Sequence, residues 1–114
     1  MSAQVVVARI AGLSGRAGEL RQLLADRARV VRAEPGCERY EVAELLDEPA
    51  TFLVVQTWAS ADVMRAHFAS ADQATYQHAV DELLARPSEV VLHEVAATTR
   101  PAPSTSPTDP GRFG

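Results

Sequence analysis

Three histidines, one cysteine, one tryptophan and two tyrosines hold most of the reactive chemistry open to this chain. A histidine changes charge near neutral pH, so one set against an apolar wall can accept a proton. His67 suits that role: it follows Val63 by four residues and so shares its stripe on a short helix. His67 is the candidate catalytic base. Phe68 adjoins it. Tyr76 and His78 are two apart on the next helical stretch and point to different sides. Tyr76 follows the apolar stripe and can direct its hydroxyl into a cavity, whereas His78 faces solvent. In the strand before these helices, the period of two puts Phe52, Val54, Gln56 and Trp58 on one face.

Other reactive groups are less sharply placed. Tyr40 and His93 lie in strands and face either a pocket or an interface between copies. Arg9 and Arg39 are charges within strands; a buried arginine needs a partner, which Glu41, Glu44 or Glu94 can supply, or it can hold an anion. Cys37 reads as a small buried side chain at a turn, with no neighbour in sequence that would activate a thiol. The histidines at 67, 78 and 93 lack metal-ligand spacing with each other or with Cys37, so no metal site is expected. Gly12, Gly15 and Gly18 are too widely spaced for a dinucleotide fingerprint.

The elements that must position these groups follow from hydrophobic periodicity. Gln4–Ala11 reads as a strand, and Gly12 and Gly15 as a turn. Leu20, Leu23, Leu24, Ala28 and Val31 recur at helical spacing from Gly15 to Glu34, where Pro35-Gly36 stops the helix. Cys37–Leu46 and Thr51–Trp58 are strands joined by Asp47-Glu48-Pro49-Ala50. Ser60 caps a short helix running through Ser70, with Asp62 in its first turn. Asp72 begins a helical stretch through Ala85, and Glu89–Val95 is a last strand. The order β-α-β-β-α-β is a ferredoxin-like α+β fold with an antiparallel sheet.

Composition bounds the rest. A chain of 114 residues, 46% hydrophobic and 23% charged, is one ordinary globular domain. It spans residues 1–96. Residues 97–114 hold four of the seven prolines together with Ser and Thr, and read as a disordered tail. The net charge of −4 argues against a nucleic-acid partner. No apolar run is long enough for a membrane span or a signal peptide, and a single cysteine gives no disulfide framework; both place the protein in the cytoplasm.

Val5-Val6-Val7 and Phe52-Leu53-Val54-Val55 break the alternation expected of a sheet with one wet face. Two helices cover one face only. A second copy is the simplest cover for the other, giving a homodimer through the sheet face.

The linear pattern resembles the antibiotic biosynthesis monooxygenase family, dimeric α/β-barrel proteins that include YgiN-like quinol monooxygenases. The residues that carry the likeness are Gly15, Glu19-Leu20, Glu34-Pro35-Gly36-Cys37, Tyr40-Glu41, Phe52, Gln56-x-Trp58, Ser60, His67 and Ser70. The resemblance covers Val5 to Val95. It implies a cavity between sheet and helices, lined here by Trp58, Phe52, Gln56, Phe68 and Tyr76 as substrate-binding residues. It also implies oxidation of an electron-rich quinol or polyphenol by dioxygen without metal, flavin or other cofactor.

Departures from the pattern set limits. The polyketide-oxidising members carry an asparagine four residues before the strand tryptophan; here that position is Val54. His67-Phe68-Ala69-Ser70-Ala71-Asp72 lacks the proline and second histidine common in the family. The chain has no asparagine at all, which disfavours haem degradation. Two other functions stay open: a non-catalytic dimeric module that binds a small aromatic ligand, and an isomerase or lyase acting on a small metabolite. The last would need Arg9, Arg39 or Arg65 at the pocket mouth.

Overall fold

The computed structural model describes residues 2–103. Its elements in chain order are β1 (Gln4–Ala11), α1 (Ala17–Val31), β2 (Cys37–Glu44), β3 (Thr51–Trp58), α2 (Ala61–Ala69), α3 (Ala71–Asp81) and β4 (Glu89–Glu94). The four strands form one antiparallel sheet in the order β2-β3-β1-β4. This is the expected ferredoxin-like α+β fold. Consecutive β2 and β3 make a hairpin, and β1 and β4 enter by crossovers through the helices.

The register sorts the side chains into two faces. Gln4, Val6, Ala8 and Ile10 of β1 lie opposite Trp58, Gln56, Val54 and Phe52 of β3, and all eight are buried beneath the helices. Leu20, Leu24, Ala28 and Val31 of α1, Met64 of α2 and Val80 of α3 close over them. That is the core, and it is the α1 stripe read from periodicity. Arg27 sits on the same stripe and is buried with it.

The opposite face presents Val5, Val7, Leu53, Val55 and Val91, with Arg9, Arg39, Glu41, Glu89 and His93 around them. No helix or strand among the described residues covers it. Residues 97–103 carry no regular element and are exposed. Thr98 and Arg100 nevertheless stand with Val5, Arg39 and Thr57 around a cleft of about 420 Å³ at one end of this face. The rest of the expected tail lies outside the described residues.

Several element ends differ from the periodicity, and at three of them the chain that follows shows why. α1 ends at Val31, and the chain closes in a tighter turn in which the Glu34 N–H donates to the Val31 carbonyl (2.9 Å). β2 stops at Glu44, leaving Leu46 fully exposed in a hairpin turn where Ala50 has φ 57°. α3 stops at Asp81 because the following backbone pairs with the end of β1. Leu13 N–H donates to the Leu83 carbonyl (2.8 Å), and Ala85 N–H to the Ala11 carbonyl (2.9 Å).

Candidate active site

α2 begins at Ser60, whose hydroxyl accepts from the Val63 N–H at 3.3 Å, and Asp62 favours the same helix end electrostatically. Its buried residues are Met64 and His67, three apart on one stripe. Facing them is the turn between α1 and β2. Gly36 holds φ +84° there, and its carbonyl accepts from the Ala59 N–H at 2.8 Å. A Cβ at Gly36 would lie 2.7 Å from Val63, so only glycine lets the turn approach α2 this closely.

That approach brings Glu34 to His67. Nδ1 of His67 lies 2.7 Å from Oε2 of Glu34. The ring also stacks on Trp58, with centroids 4.6 Å apart and planes tilted by 30°, and Phe68 meets it edge-on at 5.0 Å. The His67 side chain is only 1% exposed, and its Nε2 is buried without a hydrogen-bond partner. Burial pushes the imidazole pKa below its ordinary value of 6.5, against the opposing pull of Glu34; Arg27 lowers it further and Asp72 raises it. The ring is therefore neutral at pH 7, with Nε2 left unpartnered in a dry setting.

The expected substrate-binding residues fall into two compartments. Trp58 and His67 line an open groove of about 290 Å³ with Glu34, Pro35, Val63 and Ala66. Gln56, Phe68 and Tyr76 line a small cavity of only about 50 Å³ between the sheet and the helices, with Tyr40 and Val54. A hydrogen bond from Trp58 Nε1 to Gln56 Oε1 (2.9 Å) joins the two. Phe52 lines neither. It is buried at the far end of the sheet, with the Arg21 guanidinium 5.8 Å from its ring. Other depressions lie elsewhere, two of them the cleft on the open face and one of about 290 Å³ along β2. Neither holds a histidine or a buried unpartnered polar atom.

Behind the cavity sits a polar cluster absent from the sequence reading. Arg27 is ion-paired with Asp72, its Nη2 donates to Gln73 Oε1 at 2.8 Å, and its guanidinium lies 4.9 Å from the Tyr76 ring. Its Nε has no partner. Tyr40 points inward beside Tyr76, and burial pushes both phenols up, so both stay protonated. Arg27 was legible in principle, since positions 20, 24, 27 and 31 make one helical stripe. Glu34 had no such signal beyond its place in the Glu-Pro-Gly-Cys run.

The remaining candidates lie away from this centre. Arg9, Arg39 and His93 belong to the open face. Arg9 is ion-paired with Glu48, a partner not anticipated, and Arg39 with Glu41 at 3.0 Å. His78 is exposed, 3.9 Å from Glu82. Burial raises the Cys37 thiol pKa, the opposite of activation. Among the described residues no group of three His, Cys, Asp or Glu is arranged to hold a metal, and no helix is long and apolar enough to cross a membrane.

A family model described as antibiotic biosynthesis monooxygenase matches residues 3–79. Among solved structures, a candidate antibiotic biosynthesis monooxygenase from Deinococcus radiodurans is 26% identical. It superposes with a TM-score of 0.80, covering 84% of this chain and 95% of that one. Rv0793 from Mycobacterium tuberculosis is 28% identical with a TM-score of 0.76, over 89% of this chain and 100% of its own. A conserved protein from Methanosarcina mazei, 22% identical with a TM-score of 0.76, covers 82% of this chain and 92% of its own and shares the fold. No curated protein matches the chain.

Proposed function

The chain belongs to the antibiotic biosynthesis monooxygenase family, and on that footing we propose that it is a cofactor-independent monooxygenase that oxidises a quinol or polyphenol with dioxygen. The observation that carries the reading is His67: a buried, neutral imidazole stacked on Trp58, with Nε2 left unpartnered. A buried acceptor without a partner is costly in a core and useful in a site that must take a proton.

The chemistry balances without a cofactor. His67 Nε2 takes the proton of a phenolic hydroxyl, and the electron-rich phenolate reduces dioxygen. One oxygen atom replaces a ring hydrogen and the other leaves as water, so a hydroquinol becomes a hydroxyquinone. The substrate ring packs on the groove wall formed by Trp58, Val63 and Ala66. Gln56, Phe68 and Tyr76 back that wall, and Phe52 supports it from the core rather than by contact. A second copy covers the open sheet face, and the protein works in the cytoplasm.

Oxygen uptake by the purified protein with a panel of hydroquinols and naphthols tests the reading. A His67→Ala variant is expected to lose about 10²- to 10⁴-fold in kcat, the usual contribution of a general base. Equal rates for variant and wild type would remove His67 from the chemistry.

A second reading is a dimeric module that binds a small aromatic ligand in the His67 groove without reaction, since the cavity that the resemblance implies for catalysis is filled. The cavity between sheet and helices holds about 50 Å³, far below the roughly 300 Å³ at which ligand pockets begin. Ligand binding without oxygen uptake would select it. An isomerase or lyase acting on a small metabolite is disfavoured: Arg9, Arg39 and Arg65 lie away from the His67 groove, and the charge at that groove is the carboxylate of Glu34.

A further inference from the structure

Glu34 and His67 are 33 residues apart in the chain and 2.7 Å apart in space. An ionised carboxylate only accepts hydrogen bonds, so the hydrogen between them sits on Nδ1. A neutral imidazole has one ring hydrogen. With it on Nδ1, Nε2 is left as a lone pair, and that is the buried atom without a partner.

Backbone ties hold the carboxylate in place. The Glu34 N–H donates to the Val31 carbonyl (2.9 Å), and the Glu34 carbonyl accepts from the Cys37 N–H (3.1 Å). Gly36, in the same turn, is tied to Ala59 and packs against Val63 of α2. The turn that carries Glu34 is thereby fastened to the start of the helix that carries His67.

We propose that Glu34 is the positioning residue of this site: it holds His67 as the Nδ1–H tautomer, so that Nε2 is the atom that takes the substrate's proton. The proposal rests on the monooxygenase reading for the identity of the substrate, but not for the tautomer. The proton passes from the phenolic oxygen to Nε2 and leaves with the water formed from dioxygen, while the other ring hydrogen stays on Nδ1, donated to Glu34, throughout. The charged groups facing the ring are Glu34 from the turn, Arg27 from α1 and Asp72 from α3; β3 contributes the uncharged Trp58.

Histidine labelled with ¹⁵N and read by long-range ¹H–¹⁵N correlation above pH 7 tests this directly, with the His67 signals assigned by their loss in His67→Gln. Wild type is expected to show Nδ1–H. Glu34→Gln, nearly isosteric, is expected to give the Nε2–H form or a mixture while keeping its circular dichroism. Its oxygen uptake should fall at least about tenfold in kcat and by as much as the ~10⁴-fold that a wrong tautomer costs a histidine base, with little change in KM. The acid limb of its pH profile should move down, because Glu34 raises the His67 pKa. Nε2–H in the wild type, or an unchanged tautomer in Glu34→Gln, would overturn the proposal. A wild type with the Nδ1–H form, lost in Glu34→Gln, but no oxygen uptake would uphold Glu34 and defeat the quinol reading instead.

Discussion

At the scale of the residue, His67 is held neutral by a balance that pH can tip. Burial lowers its pKa below 6.5 more than Glu34 and Asp72 raise it. Between that depressed value and 6.5 the unfolded chain binds more protons than the native one, so stability rises with pH across the window. It is complete above about pH 6.5 and is lost as pH falls toward the folded-state pKa. Melting temperatures followed by circular dichroism should therefore decline below pH 6.5, and His67→Gln should flatten that decline. An identical slope in the variant would mean that another group sets the acid sensitivity. Arg27 makes the complementary case: its charge is tolerated in the interior because Asp72, Gln73 and the Tyr76 ring together replace water.

At the scale of the element, the site depends on a turn and two caps. Ser70 closes α2 and opens α3, its hydroxyl accepting from the Gln73 N–H at 3.1 Å, which fixes the angle at which Phe68 and Tyr76 meet the sheet. Gly36 is the more sensitive position. Gly36→Ala forces a left-handed backbone that costs about 1–2 kcal/mol on its own, and its methyl group would meet Val63 at 2.7 Å. Urea denaturation is expected to show a loss of at least that size. The variant's His67 tautomer should also loosen, since the turn that presents Glu34 must retreat. A variant as stable as wild type would show that the turn and α2 are not in firm contact.

At the scale of the whole molecule, the open face is the unresolved demand of the fold. Val5, Val7, Leu53, Val55 and Val91 form an apolar centre, ringed by Arg9, Arg39, Glu41 and Glu89. Both signs of charge stand on one face, so two copies related by a two-fold axis can meet with opposite charges paired and the valines buried. Light scattering at micromolar concentration should give twice the chain mass. Val55→Glu, which sets a charge in the apolar centre, should give the monomer with unchanged circular dichroism. A wild type that stays monomeric would mean that the face is covered by something else, with the segment beginning at Thr98 the first candidate.

The sequence by itself determined the order of elements, the inward face of β3 and the α1 stripe, because strand and helix periods are local properties that side-chain burial obeys. It also put His67 and Trp58 forward, and the structure brings their rings together. It could not show what His67 bonds to. Glu34 lies 33 residues away, and Arg27 lies 45 and 46 residues from Asp72 and Gln73. Such pairs leave no periodic trace; they exist only once the sheet has set α1, α2 and α3 side by side. The same holds for the division of Gln56, Phe68 and Tyr76 from His67 and Trp58 into two compartments, and for the placing of Phe52 outside both. Face and period are written along the chain, whereas distance between side chains is a product of packing.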